Sequence, residues 1–210
     1  HTFTGLTNGT EYTFKVRAVN SAGNGEEAST TATPVVPEFA GGNGSEEDPY
    51  LIETVDHLNN VRNYLGAEHS DKHFKLNANL NLDVAPYNDD TGWQPIGTLQ
   101  STFTGTFDGG GYTISGLFIN KEGSWNIRVP SGLFGKAGTE AKICNLTLED
   151  VAITGCYYVG SLVGSNSGEI SNVNASGDVV GEWDTGGLAG SNNGSISDSC
   201  FVGTVTGTDL

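Results

Sequence analysis

Methionine is absent from the 210 residues, and Lys+Arg number only 9 against 25 Asp+Glu, a formal charge of −16. Without a methionine the stretch is expected to be an internal part of a longer chain. The shortage of cations excludes a nucleic-acid partner, because little here could replace the counterions condensed on a phosphate backbone. No apolar run approaches the ~20 residues that a membrane-spanning helix needs, so no membrane insertion by this segment is expected. Cysteine is scarce too: Cys144, Cys156 and Cys200 match neither a disulfide scaffold nor metal-ligand spacing. They read as small buried hydrophobes or half-exposed thiols. Glycine is plentiful, at 31 of 210 residues with 36% hydrophobic residues beside it. That mixture suits a folded β protein with many tight turns better than a disordered chain.

Near the start, Tyr12, Phe14, Val16 and Ala18 alternate with Thr13, Lys15 and Arg17, a period of two with one apolar face. His1 to Pro34 is expected to hold two strands and part of a third, with Asn20 to Glu27 as a polar hairpin loop. Leu6, Gly9, Thr10, Tyr12, Val16, Ala18, Val19 and Asn20 together resemble the C-terminal strands of a fibronectin type III domain. The resemblance implies that Tyr12 is the tyrosine-corner residue, its hydroxyl bonded back to the backbone. Such a sandwich takes about 100 residues, so residues 1–35 are expected to form an incomplete module, poorly ordered or supported by a neighbour. The prolines and the Gly-Gly-Asn-Gly run between Pro34 and Ser45 read as a linker. A second domain is expected over residues 36–210.

That second domain repeats. Leu162 and Leu188, Ile170 and Ile196, and Val179 and Val205 each stand 26 residues apart, with glycines recurring between them. An earlier copy runs through Leu133, Ile143, Leu146, Leu148 and Ile153, and one before it through Ile114, Leu117 and Ile119. A unit of short β-prone runs cannot bury its apolar side alone, so neighbours must stack. The expected fold is all-β: a parallel β-helix, right-handed by the general preference of parallel crossovers. Leu162 should lie one layer from Leu188, and Gly164 and Gly190 should mark adjacent bends. Phe134, Val163 and Ala189 flank the inward leucines, which points them outward against another element. A single helix, with Thr54 as its cap and Val55, Leu58, Val61 and Leu65 on one face, is expected to cover the open end of the stack.

Gly160 to Gly181 and Gly186 to Gly207 resemble GLUG-motif repeats, and Phe39 to Leu65 resembles the opening cap of such a β-helix. GLUG repeats occur in bacterial and archaeal surface proteins, adhesin-like chains and non-catalytic regions of some immunoglobulin A proteases. The resemblance implies an extracellular or cell-surface location and a structural or adhesive role without a known ligand. Residue 210 falls just after a complete repeat, so further coils or a capping element are expected beyond it. The rival from another class is a polysaccharide lyase or glycoside hydrolase on the same architecture.

No catalytic constellation stands out. His69 and His73 flank Asp71 but lack the His-Glu-x-x-His pattern. Asp108 followed by three glycines lacks the lysine and helix of a phosphate loop, and reads as a turn whose aspartate caps backbone donors. A glycosidase would need two carboxylates across a sugar, and the glycine ladder leaves few acids at fixed spacing. Asp83, Asn88, Asp89 and Asp90 offer hard oxygen donors that calcium would accept. Tyr157 and Trp183 stand 26 apart, so the repeat puts them at equivalent places one coil apart, where aromatic faces could hold a glycan or a surface protein. Trp125, in the insertion from 120 to 130, would extend that surface. Sequons stand at Asn8, Asn43, Asn145, Asn174 and Asn193.

Overall fold

The computed structural model describes residues 3–121 and 128–207. Contacts divide the chain into one unit that ends at Glu38 and another that begins at Phe39.

The first unit is a two-stranded antiparallel hairpin, Tyr12–Asn20 against Gly23–Ala32, with a bulge between Arg17 and Val19. The turn is tighter than the polar pattern suggested, since pairing already resumes at Asn20 opposite Gly23. No third strand forms among its described residues. The Tyr12 hydroxyl accepts a hydrogen bond from the Thr7 amide at 2.9 Å, the tyrosine-corner contact, and this bond lowers the phenol's pKa. Val16 and Val19 stay about 70% exposed. One hairpin cannot bury a face by itself, since two-stranded ribbons are marginal in water. Amide hydrogens of Tyr12 to Ala32 are therefore expected to exchange quickly in the dilute monomer. Protection equal to that of the second unit would show that the hairpin is stable without sheet partners.

The second unit is a stack of parallel coils. Lys142–Thr154 pairs in parallel with Glu169–Gly181, which pairs in turn with Ser195–Ser197 and Cys200–Gly207. The register sets Ile143 beside Ile170 and Ile170 beside Ile196. A second sheet stacks Phe134–Ala137, Val163–Asn166 and Ala189–Asn192, again in parallel. The Leu162 amide donates to the Leu188 carbonyl at 3.0 Å, so the 26-residue period is one coil. Upstream, Tyr50–Ile52, His73–Leu76 and Thr106–Asp108 continue the same parallel ladder into Lys142–Thr154. The result is the β-helix architecture of a solenoid, in which each coil buries its apolar side against the next.

Two expectations are corrected. Gly164 and Gly190 lie inside strands, not at bends. A Cβ on Gly164 would meet the Tyr158 carbonyl at 2.6 Å, so the need there is for close backbone approach. The left-handed corners belong largely to other residues: Asn145, Asn172 and Asp198 recur at one corner with φ of 55°, 52° and 48°. Short polar side chains tolerate this conformation because they bond locally. Here they also bond between coils, Asn172 Nδ2 to Asn145 Oδ1 and Asn145 Nδ2 to Asp108 Oδ1, both at 2.9 Å. The second correction concerns Phe134 and Val163, which are fully buried, while Ala189 is half-buried. The Phe134 ring centroid lies 5.0 Å from that of Phe103 and 5.3 Å from that of Phe107, inside the core.

The helix is short. It spans Val55–Asn60, with Thr54 Oγ1 accepting from the His57 amide at 3.2 Å, and tightens to a 3₁₀ turn over Val61–Asn63. Leu58 and Val61 are fully buried and Val55 and Leu65 half-buried, so the apolar stripe faces the stack as expected. Phe39, Tyr50, Tyr64 and Phe74 form an aromatic cluster beside it, with Phe39 stacked on Tyr50 at 4.5 Å. Leu58→Ala is expected to lower stability by about 2–5 kcal/mol. A denaturation midpoint that does not move would remove the helix from its capping role.

Candidate functional site: an aromatic ladder on the coil edge

Tyr157–Val159 and Trp183–Thr185 are short parallel strands with Tyr157 in register with Trp183. A turn residue of positive φ follows each ring, Tyr158 and Asp184, both at 52°. The two rings lie nearly parallel, with centroids 6.3 Å apart and an interplanar angle of 11°. That geometry lies within the offset-stacked range favoured by ring quadrupoles. The Arg128 guanidinium sits 5.6 Å from the centre of the Tyr157 ring. Ser131 pairs with Val159 from the coil before, so Arg128 precedes Tyr157 in the stack and Trp183 follows it. The order along the edge is cation, phenol, indole. Tyr157 is half-buried between its neighbours, and Trp183 is 49% exposed. Trp125 lies outside the described residues.

Arg128 is the component that sequence reasoning did not assign. It stands in an insertion with no counterpart in the regular repeat, so the 26-residue comparison carried no signal for it.

The acidic loop is only partly assembled. Asn88 Nδ2 donates to Asp83 Oδ1 at 3.0 Å, and both residues line a cavity of about 500 Å³ that Asp150 also borders. Asp89 and Asp90 are exposed and do not line it. Asn88 Oδ1 is buried without a hydrogen-bond partner. Among the described residues no three His, Cys, Asp or Glu side chains converge as a metal-binding group. His69 packs edge-on to Tyr64 at 5.3 Å, and His73 sits in the strand His73–Leu76. Asp108 Oδ1 accepts from the Gly110 amide at 2.9 Å, the backbone cap expected of that turn. Burial, followed by the nearby Asp108 carboxylate, pushes the Cys144 thiol pKa up, which suits an inert thiol more than a nucleophile. No helix among the described residues is long and apolar enough to cross a membrane.

Comparison with known proteins agrees with this architecture. Residues 1–35 match the fibronectin type III domain and residues 155–180 the GLUG motif. The chain therefore carries a fibronectin type III-like segment ahead of a GLUG-motif repeat region. It is 42% identical over 139 residues to a protein of Evansella cellulosilytica provisionally named a Gly-rich membrane protein, covering 65% of this chain and 15% of that one. It is 34% identical over 144 residues to the Halomucin of Haloquadratum walsbyi, covering 67% of this chain and 2% of that one. The chain thus spans a small part of either relative. A solved Bacteroides ovatus structure, provisionally named an immunoglobulin A1 protease, superposes with a TM-score of 0.62 at 22% identity, over 80% of this chain and 51% of that one. At that identity the likeness concerns the fold.

Proposed function

We propose that this segment is a non-catalytic structural and adhesive module of a secreted or cell-surface protein, a rod that spaces or presents a contact surface. The observation that carries the reading is the coil-on-coil register. Strand after strand pairs in parallel from coil to coil, with one register shift between Leu148 and Val151, and Asn145 and Asn172 bond in a ladder between coils. The names of the relatives, a membrane protein and a Halomucin, support a place at the cell surface. Solenoids of this kind offer extended surfaces for binding.

The contact surface is the Tyr157–Trp183 ladder, which holds a glycan or a partner protein by stacking on exposed indole. Calcium at the loop of Asp83 and Asn88 belongs to the same reading as a brace, supported by the unpartnered Asn88 oxygen; titration with calcium chloride tests it. Glycan-array binding paired with a cleavage assay on acidic polysaccharides tests the whole. Binding without turnover is expected, and turnover would place the protein among the polysaccharide-processing β-helices. Trp183→Ala is expected to weaken binding about tenfold, since stacking on one aromatic is worth ~1–3 kcal/mol and 1.4 kcal/mol is tenfold. The β-sheet circular dichroism should not change. A variant that loses thermal stability but keeps its affinity would make the ladder a packing device only.

A further inference from the structure

Beside the ladder lies a small hollow of about 160 Å³, walled by Pro95, Leu99, Val129 and Pro130 and bordered by Lys121 and Arg128. No aspartate or glutamate lines it among the described residues. That is unusual in a chain where acids outnumber cations 25 to 9. Arg128 belongs to both places: it borders the hollow and lies over the Tyr157 ring. Burial, followed by the positive charge of Arg62, lowers the Lys121 pKa. Neither Lys121 nor Arg128 has a carboxylate within salt-bridge distance among the described residues. Lys121 and Arg128 thus border one hollow whose described lining holds no carboxylate, and a bound anion would offset their charge there.

We infer that this hollow is the acid-recognising end of the aromatic ladder, and that the ligand is a glycan carrying a carboxylate sugar, of the uronic-acid class. The inference rests on the glycan reading of the ladder and adds the charge of the ligand to it. A pyranose face lies on the exposed Trp183 indole, the glycan runs past the edge of Tyr157, and one carboxylate enters between Lys121 and Arg128. Arg128 offers a planar fork of donors suited to a carboxylate, and Lys121 a point charge. The hollow is smaller than the ~300 Å³ at which drug-sized ligand sites begin, so it admits a single sugar of the chain. Pro95, Leu99, Val129 and Pro130 keep part of the water from the charge pair, and Gln94, Thr98 and Gln100 offer hydrogen bonds to a sugar. A dense polyanion such as nucleic acid remains excluded, because the rest of the surface is acidic.

Tetragalacturonate and its methyl ester, titrated against the full 210-residue chain, separate the possibilities. The acid is expected to bind at least tenfold more tightly than the ester, and the difference should shrink as salt rises and screens the pair. Lys121→Gln should remove most of that preference while leaving the affinity for the ester in place; Arg128→Gln should remove the preference too and, through its contact with Tyr157, weaken both ligands. Acid and ester bound equally, both depending on Trp183, would overturn the acidic-glycan inference and leave the ladder's glycan reading standing. Failure of acid, ester and neutral oligosaccharides alike would overturn both. An acidic peptide such as oligoglutamate, bound as tightly and with the same dependence on Lys121 and Arg128, would replace the glycan by a protein partner. The acid–ester comparison uses the unaltered protein, so it decides the matter even if a variant misfolds.

Discussion

Trp93→Ala is expected to cost about 3–5 kcal/mol, the range for truncating a buried large aromatic. Trp93 is fully buried; its Nε1 donates to the Leu133 carbonyl at 3.1 Å, and the Arg62 guanidinium lies 4.3 Å over its ring. Alanine would leave a cavity, strip the Leu133 carbonyl of that donor and remove the surface that Arg62 covers. Burial already lowers the Arg62 pKa to about 10, and both Nη atoms are buried without a hydrogen-bond partner. Besides the hydrogen bond from its Nε to Asn59 Oδ1 at 3.1 Å, the guanidinium has only the indole face to compensate its lost water among the described residues. In a unit of this size 1 kcal/mol moves Tm by about 2–4 °C, so a fall on the order of 10 °C is expected by differential scanning calorimetry. Trp93→Phe, which keeps most of the volume and loses the hydrogen bond, should fall by a smaller amount. Equal losses for the two variants would mean that the hydrogen bond, not the packing, carries the effect.

Gly177→Ala is expected to be about as severe. Gly177 has a φ of +133°, and a Cβ there would run into the Val151 carbonyl of the coil below. Strain at such a φ costs ~1–3 kcal/mol, and forcing an extra carbon into packed structure adds ~1–3 kcal/mol. Gly203 occupies the equivalent place one coil on, with a φ of +155°. Gly111→Ala is the control: its φ is +79° but a Cβ there meets nothing within 4 Å. That change should cost only the backbone strain. If urea midpoints fall equally for Gly177→Ala and Gly111→Ala, the collision between coils is not what selects glycine at 177.

The sequence by itself determined the period, and with it the fold. A 26-residue recurrence of apolar and glycine positions admits stacked parallel strands, since identical residues one coil apart must occupy identical environments. Leu58 and Val61 under the cap and the pairing of Tyr157 with Trp183 were legible for the same reason, because local periodicity and the repeat both report them. What the repeat does not carry, the sequence did not show. Asn145, Asn172 and Asp198 form a left-handed corner ladder, yet asparagine and aspartate are common in this chain and nothing local distinguishes these three. Phe134 and Val163 break the alternation that would have marked them as interior, because two consecutive side chains can both face inward where the chain turns a corner. The placing of Arg128 against the Tyr157 ring was decided by tertiary structure alone. Arg128 lies at the end of an irregular insertion that the repeat does not report. It meets Tyr157 only because Ser131 pairs with Val159 and so brings that end beside the next coil.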